Sequence, residues 1–262
     1  MSAAVFVRVH PAMKSLRIML LAGVAALALS ACASNRSSMS QPDFSGQPEA
    51  KSQAMLSDLA VRYKQRPQDK TNIIYYAAAL RAAGQADQAV SVLEAGLAVH
   101  KNDVDIRIAY AKALTAAGRF DQATSIVDGA INPASPDWNA LLVKGAILDQ
   151  RGQNADARAL YAQALLTAPN EASLEANMGL SFAMTNDLDQ AEAHLRRAVA
   201  MRGATSQVRQ NLALVVGLQG RFDECQQLFA QDLPPDQVEA NMSYIRALLT
   251  QQNRWDLIKG AK

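Results

Sequence analysis

From residue 51 onward the apolar side chains recur with a helical step, and the same positions return with a period of about 34 residues. Gly84, Gly118, Gly152, Asn186 and Gly220 form one such column. Glycine and asparagine share a tolerance of the left-handed backbone that ends a helix. Five positions on, Ala89, Ala123, Ala157, Ala191 and Cys225 form a column of small residues. A second small column reads Ala77, Ala111, Gly145, Gly179 and Ala213. Two larger apolar columns follow the same period: Leu80, Leu114, Leu148, Phe182 and Val216, then Leu93, Val127, Tyr161, Leu195 and Phe229. The pattern predicts a pair of antiparallel helices per unit, joined by a turn at the Gly or Asn. Small residues let the pair approach closely, and large ones fill the space between units.

Full units are expected at about 70–103, 104–137, 138–171, 172–205 and 206–239, with a half-unit at 51–66. Leu233-Pro234-Pro235 is expected to cut the last second helix short. A capping helix over about 236–251 then covers the open end of the stack, Trp255 packs near it, and 252–262 forms a tail. Asp87, Asp121, Asp187, Asp189 and Asp223 precede or open second helices, where they are expected to cap them and meet the positive helix end.

The first residues carry a different pattern. Lys14 and Arg17 precede an apolar run from Ile18 to Leu29. As a helix that run is about 18 Å long, short of a bilayer core of about 30 Å. A basic start and a short apolar run make a secretory signal peptide over residues 1–31, with Met13 the expected start of translation. The following Leu29-Ser30-Ala31-Cys32 resembles the bacterial lipobox. That resemblance implies cleavage before Cys32 and lipidation of its thiol, with palmitate among the expected acyl groups. Ala33, in place of the Asp that retains lipoproteins in the inner membrane, points by the same resemblance to the outer membrane. Residues 33–50 are rich in Ser, Gln, Pro and Asn and lack apolar periodicity, so they read as a flexible tether reaching about 60 Å when extended.

The repeating columns, with Pro67 and Pro169 at the closing phase of a unit, resemble the tetratricopeptide repeat. The resemblance covers about residues 51–250 and implies an all-α fold, an α-α superhelix whose first helices line a concave groove. Groove positions carried over by the resemblance are Ile74, Tyr75, Ala78 and Arg81, then Ile108, Lys112 and Thr115. The third unit contributes Leu142, Val143, Ala146 and Asp149, and the fourth Asn177, Leu180 and Met184. Gln210, Asn211, Leu214 and Leu218 follow in the fifth. Asn177 and Asn211 lie one period apart, and in some relatives Asn at this phase binds the backbone of an extended peptide. An amide suits that task because it donates and accepts at once. The other reading is that both satisfy neighbouring helices or water. The rest of the groove is apolar, which suits a partner segment, or this chain's own tether or cap helix.

Composition narrows the function. Half the residues are hydrophobic but only 5% are aromatic, as packed helices require. The formal charge of +2 is concentrated at the start, where Arg8, Lys14 and Arg17 meet no acid. Beyond residue 31 there are 23 basic against 24 acidic side chains, so no basic field recruits nucleic acid. Cys32 and Cys225 stand in unlike contexts, which argues against a disulfide framework or a metal site. Cys225 reads as a small buried residue. His100 and His194 fall on second helices, with Arg196 and Arg197 giving His194 a solvated context. No nucleophile, base or phosphate-binding motif accompanies them, so an enzyme, a cofactor and a bound metal are not expected.

The stretch Asn211-Leu-Ala-Leu-Val-Val-Gly-Leu-Gln-Gly-Arg-Phe-Asp-Glu, with Asp232-Leu-Pro-Pro and Asn241-Met-Ser-Tyr-Ile-Arg, resembles the TadD lipoproteins of tight-adherence (Flp) pilus systems. That resemblance implies an outer-membrane scaffold for pilus assembly, with a secretin or another pilus component as partner. Two further readings stand beside it: a type IV pilus pilotin, and an adaptor that recruits a periplasmic peptidase or cell-wall hydrolase.

Overall fold

A computed structural model describes residues 49–260, with side-chain surroundings over 52–251. The expected signal peptide, Cys32 and nearly all of the tether lie outside the described residues, as does the side chain of Trp255. Among the described residues there are twelve helices and no strand. None of these helices is long and apolar enough to cross a membrane.

Helix α1 (Glu49–Gln65) opens the stack. Five pairs follow: α2 (Lys70–Ala82) with α3 (Ala86–Val99), α4 (Val104–Ala116) with α5 (Phe120–Asp128), and α6 (Trp138–Gln150) with α7 (Asn154–Thr167). Then come α8 (Ala172–Met184) with α9 (Leu188–Ala200), and α10 (Ser206–Leu218) with α11 (Phe222–Ala230). The first helix of every pair is 13 residues long, and each starts one full period after the last.

The turn column explains that regularity. Gly84, Gly118, Gly152, Asn186 and Gly220 have φ of 73°, 73°, 76°, 63° and 84°. That twist lets the next N–H reach back to the column of larger residues. Gln85, Arg119, Gln153, Asp187 and Arg221 donate to the carbonyls of Leu80, Leu114, Leu148, Phe182 and Val216 at 2.8–3.2 Å. Each pair thus closes on a Schellman turn.

The other helix ends differ from the expected capping. Asp69, Asp103 and Asp137, spaced by the same period, cap the first helices α2, α4 and α6. Asp103 accepts from the N–H groups of Asp105 and Ile106 at 2.9 and 3.0 Å. Of the acids expected to cap second helices, Asp187 does so, accepting from Gln190 N–H at 3.3 Å. Asp87, Asp121, Asp189 and Asp223 sit within the first turn instead, where the helix dipole favours them.

First helices touch one another from unit to unit: α2 with α4, α4 with α6, α6 with α8 and α8 with α10. They form the inner layer of the solenoid, and the second helices pack outside it. The core runs along the seam through Ile73, Leu93, Ile106, Leu142, Tyr161, Leu195 and Leu212, all at most 2% exposed. Each such side chain contributes about 1.5–3 kcal/mol by leaving water. Cys225 is fully buried in its small-residue column, and burial pushes its thiol up to about 11.

Two second helices are short. As expected, α11 ends at Ala230 ahead of Pro234-Pro235. Unexpectedly, α5 ends at Asp128, ahead of Pro133 and Pro136. Arg107 serves the carbonyl left open there, donating to Gly129 O at 3.2 Å. The last helix, α12 (Pro235–Gly260), is longer than the cap anticipated at 236–251 and takes in most of the anticipated tail. Nothing after Pro235 breaks the helix before Gly260. Val238, Met242 and Ile245 bury one face of it against α10 and α11.

Candidate inner-layer binding face

The inner-layer stripe follows from helical geometry, since positions three and four apart share a face. The structure brings Ile74, Ala78 and Arg81 of α2 together with Ala109 and Lys112 of α4 around one narrow recess. Residues assigned to separate units by period alone therefore do meet. Ile108, Lys112, Leu142, Asn177, Leu180 and Asn211 are buried. Tyr75 and Leu214 are half-buried, as are Arg81, Met184, Gln210 and Leu218. Lys112 is 3% exposed and donates to Asn139 Oδ1 at 3.2 Å across the α4–α6 contact.

Units three and four are joined by a buried polar cluster. Asp149 accepts from Tyr161 OH at 2.8 Å, Ser181 Oγ at 2.7 Å and Asn154 Nδ2 at 2.7 Å. Burial pushes its carboxyl above the ordinary range, against the pull of those donors and of the Arg158 guanidinium. Arg158 also lies over the Phe182 ring at 4.6 Å. The sequence placed Asp149 in the stripe but gave it no partner. The available signal was Tyr161, the one hydroxyl in an otherwise hydrocarbon column.

The two asparagines one period apart are not equivalent. Asn177 Nδ2 donates to Ser173 O of its own helix at 2.8 Å. Asn211 Oδ1 accepts from Gln207 Nε2 at 3.1 Å, whereas its Nδ2 is buried with no protein partner. A shared phase therefore does not give a shared hydrogen-bonding state.

The histidines divide as well. His100 Nε2 lies 2.8 Å from Gln68 O at an exposed position. His194 departs from the solvated setting expected of it. Its Nδ1 is 2.7 Å from Glu175 Oε2, its side chain is 14% exposed, and its ring stacks on Phe182 at 5.3 Å. The neighbouring Arg197 turns inward to the same carboxylate at 3.2 Å. Glu175, buried on α8, supplies the charge that draws both in; the sequence shows it 19 residues away, with nothing to link them.

Outside, Glu192 of α9 binds Arg196 and the Arg221 guanidinium, and Arg196 reaches Glu224 of α11 at 2.6 Å. The Arg221 hydrogen bond is the main cause that holds the Glu192 carboxyl down to about 2. Among the described residues no cluster of His, Cys, Asp or Glu could hold a metal ion.

Comparison with known proteins bears on the fold. Tetratricopeptide-repeat family models match residues 80–145 and 172–197. The chain is similar to a thermophilic TPR protein of Thermus thermophilus, with 20% identity and a TM-score of 0.60, over 68% of this chain and 100% of that one. It is also similar to human IFIT1, solved as a dimer with PPP-AAAA, at 13% identity and a TM-score of 0.56. That match covers 70% of this chain and 46% of the human one. No curated protein matches the chain. The architecture is the all-α superhelix of tetratricopeptide repeats.

Proposed function

We propose that this chain is a lipid-anchored scaffold of the outer membrane that binds a protein partner along its inner helix layer and serves assembly of a tight-adherence (Flp) pilus. The partner in this reading is a secretin or another component of the pilus machine. The observation that carries the binding role is the inner layer itself. Five first helices of equal length repeat one register and stack as one inner layer, on which Tyr75, Arg81, Met184, Gln210, Leu214 and Leu218 stay half-buried. Such a solenoid offers a long surface on a rigid frame.

The anchor rests on the order of Lys14 and Arg17, the apolar run, and Leu29-Ser30-Ala31-Cys32. A thioether-linked diacylglycerol at Cys32 would contribute about 0.8 kcal/mol per buried methylene, enough to hold the chain at the bilayer. The pilus role rests on the likeness of residues 211–224, 232–235 and 241–246 to the TadD lipoproteins. Recruitment of a periplasmic peptidase or cell-wall hydrolase would use the same anchor and face, and partner identity separates the two.

Replacing Cys32 by Ser tests the anchor. Metabolic labelling with a tagged fatty acid should mark the wild-type protein in the outer-membrane fraction and leave Cys32→Ser unlabelled. Equal labelling of the two proteins would overturn the lipoprotein reading.

A further inference from the structure

The register of the repeats runs on into α12. This helix touches α10 and α11, the same two kinds of neighbour that each earlier first helix has before it. Ala247 stands one period after Ala213 and continues the small column of Ala77, Ala111, Gly145 and Gly179. Those five are buried, because a second helix packs on each, whereas Ala247 is exposed. Among the described residues α12 is therefore a first helix whose pairing face is open. The other end of the stack shows the converse. α1 touches α2 as a second helix touches the first helix of the next unit, and Leu59 stands one period before Leu93. Among the described residues no first helix pairs with α1, and its Val61 is 50% exposed.

The two open helices match each other by the register of the pairs between them. In the fourth unit, Glu175 near the start of α8 meets Arg197 near the end of α9. One turn on, Gly179 approaches the α9 backbone at Ala191. α12 carries Ser243 and Ala247 at the positions of Glu175 and Gly179, and α1 carries Val61 and Met55 at those of Arg197 and Ala191. An α1 laid on α12 as a second helix would seat Val61 by Ser243 and its own backbone by the small Ala247, the close approach that small residues permit. One turn further out the charges agree. Asp236 and Glu239 are exposed at the start of α12, and Lys64 and Arg66 are exposed at and just past the end of α1. Antiparallel pairing brings these acids onto these bases. Each set also stands at the helix end whose dipole favours it.

We propose that the exposed face of α12 binds α1 of a second copy of this chain, so that the two half-units complete one more helix pair between copies. The contact joins two different faces and leaves one of each unused at the ends. Copies therefore add head to tail and do not stop at a dimer. This surface is separate from the inner-layer face assigned to a protein partner.

Val61→Cys and Ser243→Cys place one thiol on each face, at exposed positions that leave the core untouched. Full-length protein in cell envelopes is treated with a short bis-maleimide, and the wild type, whose Cys225 is buried, sets the background. A chain with both substitutions should give a ladder of dimers, trimers and larger species. Either substitution alone should give background, and the two single variants expressed together should give dimers and nothing larger. Glu239→Lys should cut the ladder roughly tenfold, and Lys64→Glu added to it should restore it. Absence of a ladder from the doubly substituted chain would overturn the contact, as would equal dimers from a single variant on its own. A ladder indifferent to Glu239→Lys would overturn the register assigned to it.

Discussion

Gly145 faces the ring of Tyr161 so closely that a Cβ at Gly145 would stand under 3.0 Å from Tyr161 Cε1. The same Tyr161 hydroxyl donates to Asp149, one turn further along the helix of Gly145. The small residue, the large ring and the buried carboxylate are therefore one arrangement.

Gly145→Ala should accordingly destabilise the solenoid by about 1–3 kcal/mol, read as a lower midpoint in urea unfolding. Combined with Tyr161→Leu, which vacates the space, the added cost of the alanine should largely vanish. An equal cost in both backgrounds would separate the glycine from the ring.

The capping acids offer a sharp contrast within one period. Asp103 caps α4 and binds Lys70 at 2.7 Å, while Asp121 meets only Arg151 at an exposed position. Asp103→Ala should cost about 1–2 kcal/mol, and Asp121→Ala about 0.5 kcal/mol or less. Thermal unfolding of the two variants beside the wild type measures the difference. Equal effects would contradict the assignment of the caps.

Much of this fold is legible in the sequence because its information is periodic. The Gly84 column gives the turns, and the small columns give the approach of paired helices. Where a residue breaks the column the sequence says less. Tyr161 stands out as the one hydroxyl of its column, yet its partner Asp149 becomes visible only when α6 and α7 are packed. Glu175 lies 19 residues from His194, so their pairing depends on the crossing of α8 and α9. The early end of α5 is encoded in Pro133 and Pro136 but masked by the regularity around it. Asn177 and Asn211 differ in what meets them one turn earlier, the main-chain carbonyl of Ser173 for one and the Gln207 side chain for the other, a local difference that the period conceals.

The Glu192 network predicts an acid response. Its carboxyl titrates near 4.5 when the chain is unfolded and near 2 when folded. A lowered folded value means stability present above about 4.5 and lost as pH falls toward about 2. Glu192→Gln should therefore differ most from wild type above pH 4.5, and the two should converge toward pH 2. Melting temperatures across that window check the sign. A gap that widens with acid would contradict it.

The identity of the partner decides the binding role. The tagged protein is captured from cross-linked cell envelopes, and what comes with it is identified by mass spectrometry. The expected result is a secretin or another pilus component. A peptidase or cell-wall hydrolase, with no pilus protein, would contradict the pilus assignment.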